Sequence, residues 1–410
     1  MKPLAVTGVG TLAPFALDYG SFKQALAEPE KAKTIAFSGP SIALKDDKNP
    51  HREEASTWLP LARTAECRAF DANALLGEKG HRNLDRLTKY LVVAAKRALE
   101  DAEIKRDGAF IGPLGPDDLG LCSATAYGSL DAITELNLVA ELEDPRYINP
   151  ARFPNTVINA SAGYVSIWED LRAPNTTIVN GNTGSIDAVL VAETHLAHRR
   201  AKAFLVGGGE VISEPLYTAF RKLGAIAEGE APWEPGSDCS TGLHLGEGAA
   251  YLVVERKEDA KRRNARIRAL IAGYGTAFEP PTHEALLLNP TPLAVARAIR
   301  AALDDAGFAP DAVSLVVSSV SGLPRYDAAE LRAIEQVFGE DVAVVAPKSL
   351  FGESFAAASA LSMAAAVAWL EGLRPAPLLL GKLPEALSVV LIISMGYYGS
   401  ASALVMKRAS

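Results

Sequence analysis

A turn of small and polar residues, 180–185, joins an apolar run to a helical pattern and has the layout of a reactive helix N-terminus. Such turns carry nucleophiles because the free N–H groups at the start of a helix stabilise negative charge. Asn182 stands at the tip of this turn, and its amide nitrogen is not basic enough to be acylated usefully. A carboxamide can still donate and accept hydrogen bonds, so Asn182 is predicted to form hydrogen bonds at the helix tip without acting as a nucleophile.

Thr183 and Ser185 are the hydroxyl residues of the same turn and the alternative nucleophiles. A serine or threonine nucleophile needs a general base within hydrogen-bond reach, and we find no candidate near either residue in sequence. Small polar residues at helix starts most often cap free N–H groups. Taken alone, Asn182, Ser185 and the later Ser349 are therefore interpreted as capping residues.

The composition is that of a large globular protein: 410 residues, 49% hydrophobic and 22% charged, with a net charge of -8. An acidic chain is a poor partner for nucleic acid or an anionic membrane. Cys67, Cys122 and Cys239 are widely spaced without a Cys/His cluster, which predicts a reducing compartment and no metal site. The chain start lacks a signal-peptide pattern, and the Ala-rich segment 355–372 favours a buried helix over a membrane span. We therefore expect a cytoplasmic protein.

Short apolar runs alternate with helical patterns along the chain, which is typical of an α/β fold. The predicted strands are 4–10, 119–125, 176–181, 203–209, 249–255, 267–275, 314–320, 342–347, 387–396 and 402–407. The predicted helices are 84–103, 186–201, 290–306, 327–338 and 355–372. The region 28–83 is rich in charge and has no clear period, so it is predicted to form loops and short helices.

A strand–turn–helix–strand unit occurs twice in the chain. In the first half, strand 176–181 leads through the Asn182 turn into a small-residue helix and a second strand. In the second half, strand 342–347 leads through residues 348–353 into helix 355–372 and its following strand. A repeat of this size indicates a duplicated fold in which the two central helices pack back to back.

In five segments the sequence resembles the β-ketoacyl synthases of the thiolase fold. The segments are 4–14 (LAVTGVGTLAP), 84–104 (LDRLTKYLVVAAKRALEDAEI), 152–167 (RFPNTVINASAGYVSI), 245–275 (LGEGAAYLVVERKEDAKRRNARIRALIAGYG) and 394–406 (SMGYYGSASALVM). They occur in the family's order along nearly the whole chain. The resemblance implies a thiolase-like fold, with a duplicated α/β/α/β/α architecture of five layers and halves of roughly 1–255 and 256–410. The helices that begin near Asn182 and Ser354 are expected at the pseudo-twofold centre.

The resemblance also identifies the positions of the family's catalytic triad, and none of the three holds the family residue. The cysteine position at the helix tip is Asn182. The first histidine position, in a segment that matches His-Gly-Thr-Gly-Thr-Pro, is Ser319. The second, after a Lys-Ser-x-x-Gly segment, is Glu353, and only the lysine of that segment, Lys348, is kept.

No histidine is expected to replace the two that the family uses, because none lies near residue 319 or 353 in sequence. The six histidines are His51, His81, His195, His198, His244 and His283. Condensation also needs donors that stabilise an enolate, and Glu353 would instead bring a negative charge unless it pairs with Lys348. Asp327 and Glu330 fit the family pattern and open a helix, where acidic residues are favourable.

By the same resemblance, the substrate-binding positions are Asn182, Thr183, Ser319, Lys348, Gly396, Tyr397 and Tyr398. The resemblance implies no cofactor and no metal. The family includes cysteine-lacking subunits, the chain-length factors of type II polyketide and aryl-polyene systems, which commonly carry glutamine at the cysteine position. Asn182 is the shorter homologue of glutamine. The leading hypothesis is therefore a chain-length-factor-like subunit of type II fatty acid or polyketide biosynthesis, inactive in condensation on its own.

The implied partners are an active ketosynthase subunit, or a second copy of the chain, and an acyl carrier protein. Segment 152–181 is expected at the dimer interface, because its family counterpart closes an exposed sheet edge there. Two hypotheses of another class stay open. One is a divergent acyl-carrier-protein or coenzyme A decarboxylase or acyltransferase, and the other is a homodimeric acyl-binding protein.

Overall fold

The structure is a computed structural model, and it describes residues 2–39, 41–44, 62–227, 234–237, 240–281 and 288–409. The strands are β1 (Leu4–Leu12), β2 (Lys105–Arg106), β3 (Ala109–Phe110), β4 (Leu119–Ala124), β5 (Asn175–Ile178), β6 (Ala203–Glu210), β7 (Gly248–Arg256), β8 (Ala269–Phe278), β9 (Leu315–Val317), β10 (Val344–Val345), β11 (Val389–Met395) and β12 (Ser400–Arg408). Within the described residues, ten of them form one mixed sheet and β2 pairs with β3 in a separate hairpin.

The order of the ten-stranded sheet contains the same topology twice. It runs β10-β9-β11-β12-β8-β1-β7-β6-β4-β5. Outwards from the centre, the first half has the order β1, β7, β6, β4, β5, and the second half has the order β8, β12, β11, β9, β10. In each half these are the first, fifth, fourth, second and third strands of that half along the chain. The two halves meet where β1 pairs antiparallel with β8, through Leu4–Ile271, Ala5–Leu270 and Val6–Ala269. The duplication predicted from the repeat is confirmed, whereas the division into halves of 1–255 and 256–410 stays a prediction.

Helices cover both outer faces of the sheet and fill the space between its halves. The helices are α1 (Tyr19–Ala27), α2 (Pro29–Ala36), α3 (Ala72–Leu76), α4 (Arg86–Asp101), α5 (Leu130–Leu138), α6 (Ala160–Glu169), α7 (Gly184–Ala197), α8 (Glu214–Lys222), α9 (Lys257–Arg262), α10 (Pro292–Ala306), α11 (Pro324–Phe338), α12 (Lys348–Phe351) and α13 (Ala356–Leu370). Helix α4 packs on β1, β6 and β7, and α10 packs on β8 and β12. Helices α7 and α13 contact each other and strands of both halves, which gives five layers.

Helix α13 is buried along its whole length because its sequence is almost entirely Ala, Ser and other apolar residues. The prediction of a protein-buried helix over 355–372 is thus confirmed. Among the described residues, no helix is both long and apolar enough to cross a membrane.

Glycines let the outer helices approach the two strands that join the halves. A Cβ atom on Gly10 of β1 would lie 2.0 Å from the carbonyl oxygen of Ala94 in α4. A Cβ atom on Gly275 of β8 would lie 2.2 Å from the carbonyl oxygen of Ala298 in α10. Neither distance is possible for a side chain, so the same close contact is built into both halves of the fold.

The predicted elements exist, but several of their bounds were wrong. Strand 176–181 ends at Ile178, and residues Gly181–Thr183 form a 3₁₀ turn that leads directly into α7. Strand β10 has two residues where six were predicted, Val344–Val345. Helices α1, α5, α6, α8 and α12 were not predicted. In the region 28–83, helices α2 and α3 are present as expected, while residues 40 and 45–61 lie outside the described residues.

Candidate functional site

The start of α7 is fixed in place by hydroxyl groups from the second half of the chain. The main-chain carbonyl of Asn182 accepts a hydrogen bond of 2.7 Å from Ser394 Oγ of β11 and another from Ser359 Oγ of α13. Ser185 Oγ in turn donates to the carbonyl of Ala356 at 2.7 Å. The tips of the two central helices are therefore tied to one another, and Asn182 is only 2% exposed.

The interpretation of these residues as N-caps was wrong. The side chains of Asn182, Ser185 and Ser349 accept no hydrogen bond from the free N–H groups of a helix start. Ser349 Oγ donates to the carbonyl of Ala346, and Ser185 Oγ donates to a carbonyl of the other central helix. For Asn182 and Ser185, contacts with the second half of the chain thus replace the local caps that the sequence favoured, while Ser349 bonds to the carbonyl three residues before it.

Glu353 is the centre of the buried site. Its Oε2 atom accepts hydrogen bonds from Lys348 Nζ at 2.6 Å, Tyr397 Oη at 2.9 Å and Asn182 Nδ2 at 3.2 Å. Its Oε1 atom accepts one from the main-chain nitrogen of Phe355 at 2.8 Å. We call Asn182, Lys348, Glu353 and Tyr397 the Glu353 hub. All four residues are buried, and the expected Lys348–Glu353 ion pair is confirmed.

The backbone after Glu353 is strained. Phe355 has φ +48° and ψ -114°, a conformation that costs a residue with a Cβ atom on the order of 1–3 kcal/mol. The hydrogen bond from its N–H group to Glu353 Oε1 holds this conformation at the start of α13. The Phe355 ring packs edge-on against Tyr127 and beside Phe220, with centroid distances of 5.0 and 5.3 Å. Strain of this kind is concentrated at functional sites.

His244 lies much closer to Glu353 than its place in the sequence suggested. The N–H group of Glu353 donates to the His244 carbonyl at 2.8 Å. The imidazole itself contacts the carbonyl of Arg63 through Nδ1 and packs edge-on against Phe37. Burial lowers the pKa of His244 to about 4, so the ring is neutral at physiological pH. His244 therefore contributes its main chain to the site, while His51 and His283 lie outside the described residues.

Ser319 belongs to a neighbouring cluster and not to the Glu353 hub. Its hydroxyl donates to Glu330, and its N–H group donates to Glu330 Oε1 at 2.6 Å. The Ser319 hydroxyl also accepts from the N–H group of Met395, the residue after Ser394. Asp327 accepts three main-chain N–H groups, and burial raises its pKa to about 6. Asp327 and Glu330 thus hold the loop before α11, a larger role than charge at a helix start.

Thr183 has a carboxylate beside it, contrary to the expectation that no base stands near. Its hydroxyl donates to Asp187 Oδ2 at 2.7 Å, one helical turn further along α7. The other oxygen of Asp187 accepts hydrogen bonds from Tyr274 Oη and Ser402 Oγ of the second half. Both oxygens of Asp187 are thus occupied by donors from α7 and from the second half of the chain, and Thr183 is buried. Asp187 therefore holds α7 against β8 and β12.

The three predicted substrate-binding residues of the last turn separate in the structure. Tyr397 is in the Glu353 hub, Tyr398 is 56% exposed, and Gly396 donates its N–H group to the carbonyl of Ser400. Sequence reasoning did not identify Ser359 or Phe355 as part of the site. Hydroxyls and aromatics within apolar runs carry no local signal of this role. Among the described residues, no group of three or more His, Cys, Asp or Glu side chains could hold a metal ion.

The chain matches two family models and many known proteins. Residues 1–260 match the N-terminal domain of β-ketoacyl synthase, and residues 268–378 match its C-terminal domain. The 3-oxoacyl-[acyl-carrier-protein] synthase 2 of Coxiella burnetii is 31% identical over 88% of this chain and 84% of that protein. The tetracenomycin polyketide synthase ketoacyl synthase beta subunit of Streptomyces glaucescens is 30% identical over 99% and 98%.

A solved structure shares the fold along the whole chain. The structure described as the ishigamide ketosynthase/chain length factor superposes with a TM-score of 0.83 at 22% identity, covering 100% of both chains. At this identity the likeness concerns the fold. The thiolase-like α/β fold expected from the sequence is thereby confirmed.

Removal of the Lys348 charge should unbalance the Glu353 hub. In Lys348→Met, the Glu353 carboxylate stays buried without a cation, and we expect a loss of about 3–5 kcal/mol in the free energy of unfolding. Glu353→Gln in the same chain removes the unpaired charge, so Lys348→Met/Glu353→Gln should be more stable than Lys348→Met alone. Chemical denaturation of the wild type, both single variants and the double variant measures this coupling. Additive effects of the two substitutions would contradict the buried-pair interpretation.

Proposed function

The chain belongs to the β-ketoacyl synthase family, and we propose that it is a non-condensing, chain-length-factor-type subunit of type II fatty acid or polyketide biosynthesis. Its partner in this proposal is an active ketosynthase that carries the family cysteine, and both act on acyl groups held by an acyl carrier protein. Aryl-polyene biosynthesis is one such system. The observation that carries the proposal is the Glu353 hub at the tip of α7.

The chemistry of condensation argues for this proposal. The reaction needs a nucleophile that holds the acyl chain as a thioester, and Asn182 provides no group that can do so. It also needs donors that stabilise an enolate as carbon dioxide leaves. At the position of the second family histidine the chain has a carboxylate, Glu353, which accepts hydrogen bonds from Lys348, Tyr397 and Asn182. An anion at that place opposes the formation of a second negative charge.

The remaining family position supports the same conclusion. Ser319 stands where the first histidine is expected, and its hydroxyl is occupied by Glu330 and the main chain of Met395. Such a hydroxyl cannot move a proton as an imidazole does. Thr183, the alternative nucleophile, is buried and bonded to a carboxylate that already accepts from several donors. A condensing role for this chain alone therefore has no support from its site.

An exposed apolar surface supports the partner in the proposal. Strand β5 lies at the edge of the sheet, which leaves one side of its backbone without a neighbouring strand among the described residues. Segment 152–181, which contains β5, also has four exposed large hydrophobic residues: Phe153, Val157, Ile167 and Val179. Sheet edges and apolar patches of this kind are normally covered by a partner. We place a partner on the surface of segment 152–181, with an interface of about 2,000 Å² or more.

Central helix α7 adds to this support. Leu190 is exposed, although the other face of α7 is buried against α13 and the sheet. Burial of this leucine side chain by a second subunit would remove apolar surface from water and so stabilise the complex. We propose a ketosynthase as the partner because the structure described as the ishigamide ketosynthase/chain length factor has the same fold as this chain.

The unaltered chain should not elongate an acyl primer by itself, and Asn182→Cys should not restore elongation. The introduced thiol would regain a helix tip that lowers thiol pKa and could be alkylated, but the donors at 319 and 353 would still be absent. The loss of one such donor typically costs about a hundredfold to a thousandfold in rate. Only Asn182→Cys/Ser319→His/Glu353→His is expected to give detectable turnover. The assay is elongation with malonyl-carrier protein, read by mass spectrometry, and robust elongation by the unaltered chain would overturn the proposal.

Association with the ketosynthase should depend on the surface of segment 152–181. Ile167, in α6, is 77% exposed, and a charge there would be buried without a counter-ion in the complex. We expect Ile167→Asp to abolish co-purification with a co-expressed, cysteine-bearing ketosynthase. Leu223→Asp is the matched control, because Leu223 is 69% exposed and follows α8, outside segment 152–181. Equal loss of the partner in both variants, or retention in both, would place the interface elsewhere.

A further inference from the structure

The two outermost strands of the ten-stranded sheet are protected differently. Strand β5, at one end, has no neighbouring strand on its outer side among the described residues. Strand β10, at the other end, is the counterpart of β5 in the duplicated strand order. The carbonyl groups of Ala343 and Val345 accept hydrogen bonds on the side of β9, so Val344 between them faces outwards. An open sheet edge is a template for pairing with another chain, so the state of both edges decides how many partners the chain can take.

Residues 378–382, which we call the edge strap, lie along the outer side of β10. The N–H group of Val344 donates to the carbonyl of Leu380 at 3.0 Å, and the carbonyl of Val344 accepts from the N–H group of Leu379 at 2.7 Å. Val344 and Leu380 thus form an antiparallel bridge of the kind that joins two strands. Both main-chain groups that Val344 could offer to another chain are therefore occupied by its own chain.

Leucine side chains fix the edge strap on both faces of the sheet. Leu378 is partly buried against the hydrophobic cluster that contains α7 and α13, and so is Leu383, just after the edge strap. Leu379 packs instead against the cluster that contains α10 and α11. Successive side chains on opposite faces are the pattern of a strand. The edge strap is therefore anchored as an additional edge strand would be.

The edge strap belongs to a connection that is much longer than its counterpart in the first half. The five residues 198–202 join α7 to β6, whereas the eighteen residues 371–388 join α13 to β11. A position outside β5 lies three strand spacings from β6, about 14 Å, and five residues extend at most about 17 Å. The short connection therefore leaves too little chain to pair with β5, while the long connection covers β10.

Gly381 lets the edge strap turn away from the sheet at its end. It has φ +70°, and a Cβ atom on it would lie 2.0 Å from the carbonyl oxygen of Val342. Lys382, the next residue, is exposed, and a lysine at a sheet edge opposes pairing with a further strand. A side chain at position 381 is incompatible with both the backbone conformation and the close contact. Its introduction should therefore lift the edge strap from β10.

We propose that the edge strap closes β10 against a second copy of this chain, and so leaves β5 as the sheet edge, within the described residues, at which the chain takes its partner. Because the halves are duplicated, an uncovered β10 would offer the same kind of edge as β5, and the β5 edge of another copy would pair with it. Such a head-to-tail contact does not close on itself and continues into open-ended assemblies. The inference rests on the part of the proposed function that places the partner at β5.

Gly381→Val tests the edge strap in the full chain without a partner. The unaltered chain should not exceed a pair of copies in multi-angle light scattering, because each copy has a single open edge. With β10 uncovered, Gly381→Val should form particles of at least about twice that mass, which grow with protein concentration. Gly307→Val is the matched control, because Gly307 also has φ +70° but a Cβ atom on it meets nothing within 4 Å. The control should keep the mass of the unaltered chain.

Hydrogen exchange shows whether the larger particles come from the edge of the sheet. The Val344 amide, which donates to the Leu380 carbonyl, should exchange about threefold to tenfold faster in Gly381→Val than in Gly307→Val, the factor for losing one hydrogen bond. Leu379→Pro, which removes the N–H group that donates to Val344, is the second variant and should give the same two results. A bound ketosynthase, which covers β5 in the proposed function, should stop the growth at two complexes.

Three results would each overturn the edge strap. They are unchanged exchange of Val344 in both variants, faster exchange without larger particles, and growth that continues with the ketosynthase bound. Equal growth in Gly307→Val would overturn it as well, because that variant leaves β10 covered. The proposed function fails on different results, elongation by the unaltered chain or no association of the unaltered chain with a ketosynthase. Each idea can thus be rejected while the other stands.

Discussion

The buried carboxylate of Glu353 is the constraint on which the site depends. An ionised carboxylate without partners in a protein interior costs several kcal/mol, so it must be paired with a cation and hydrogen-bond donors. Lys348 provides the cation, and the side chains of Asn182 and Tyr397 provide further donors. These partners come from the first half of the chain, from the segment next to Glu353 and from the last turn. The need to satisfy one charge therefore brings distant parts of the sequence to a single point.

The duplicated fold makes this meeting point possible. Helices α7 and α13 begin at corresponding places in the two halves, and their first turns carry small residues that let the backbones approach. Ser185 of α7 donates to the main chain of α13, and Ser359 of α13 donates to the main chain of Asn182. In the proposed function, the same place holds a buried ion pair where a condensing enzyme would need a nucleophile and neutral donors.

The fold could be predicted largely from sequence because its strands are continuous apolar runs between turns. A polar turn explains one of the wrong bounds, the end of β5 after Ile178, whereas β10 keeps only Val344–Val345 of a run that is apolar throughout. The Lys348–Glu353 pair was also predictable, since its members are only five positions apart in the sequence. The contact between Asn182 and Glu353 spans 171 residues, and no local pattern reports such a distance. The Thr183–Asp187 contact was visible as neighbours one helical turn apart, and it was missed.

Acyl loading of the purified complex provides the most direct test of the proposal that this chain holds no acyl group. The chain is co-purified with a cysteine-bearing ketosynthase, incubated with acyl-carrier protein charged with a primer, and both polypeptides are weighed by intact-protein mass spectrometry. We expect one acyl adduct on the ketosynthase and an unchanged mass for this chain. A stoichiometric acyl adduct on this chain, mapped to the turn at Asn182, Thr183 and Ser185, would contradict the non-condensing role.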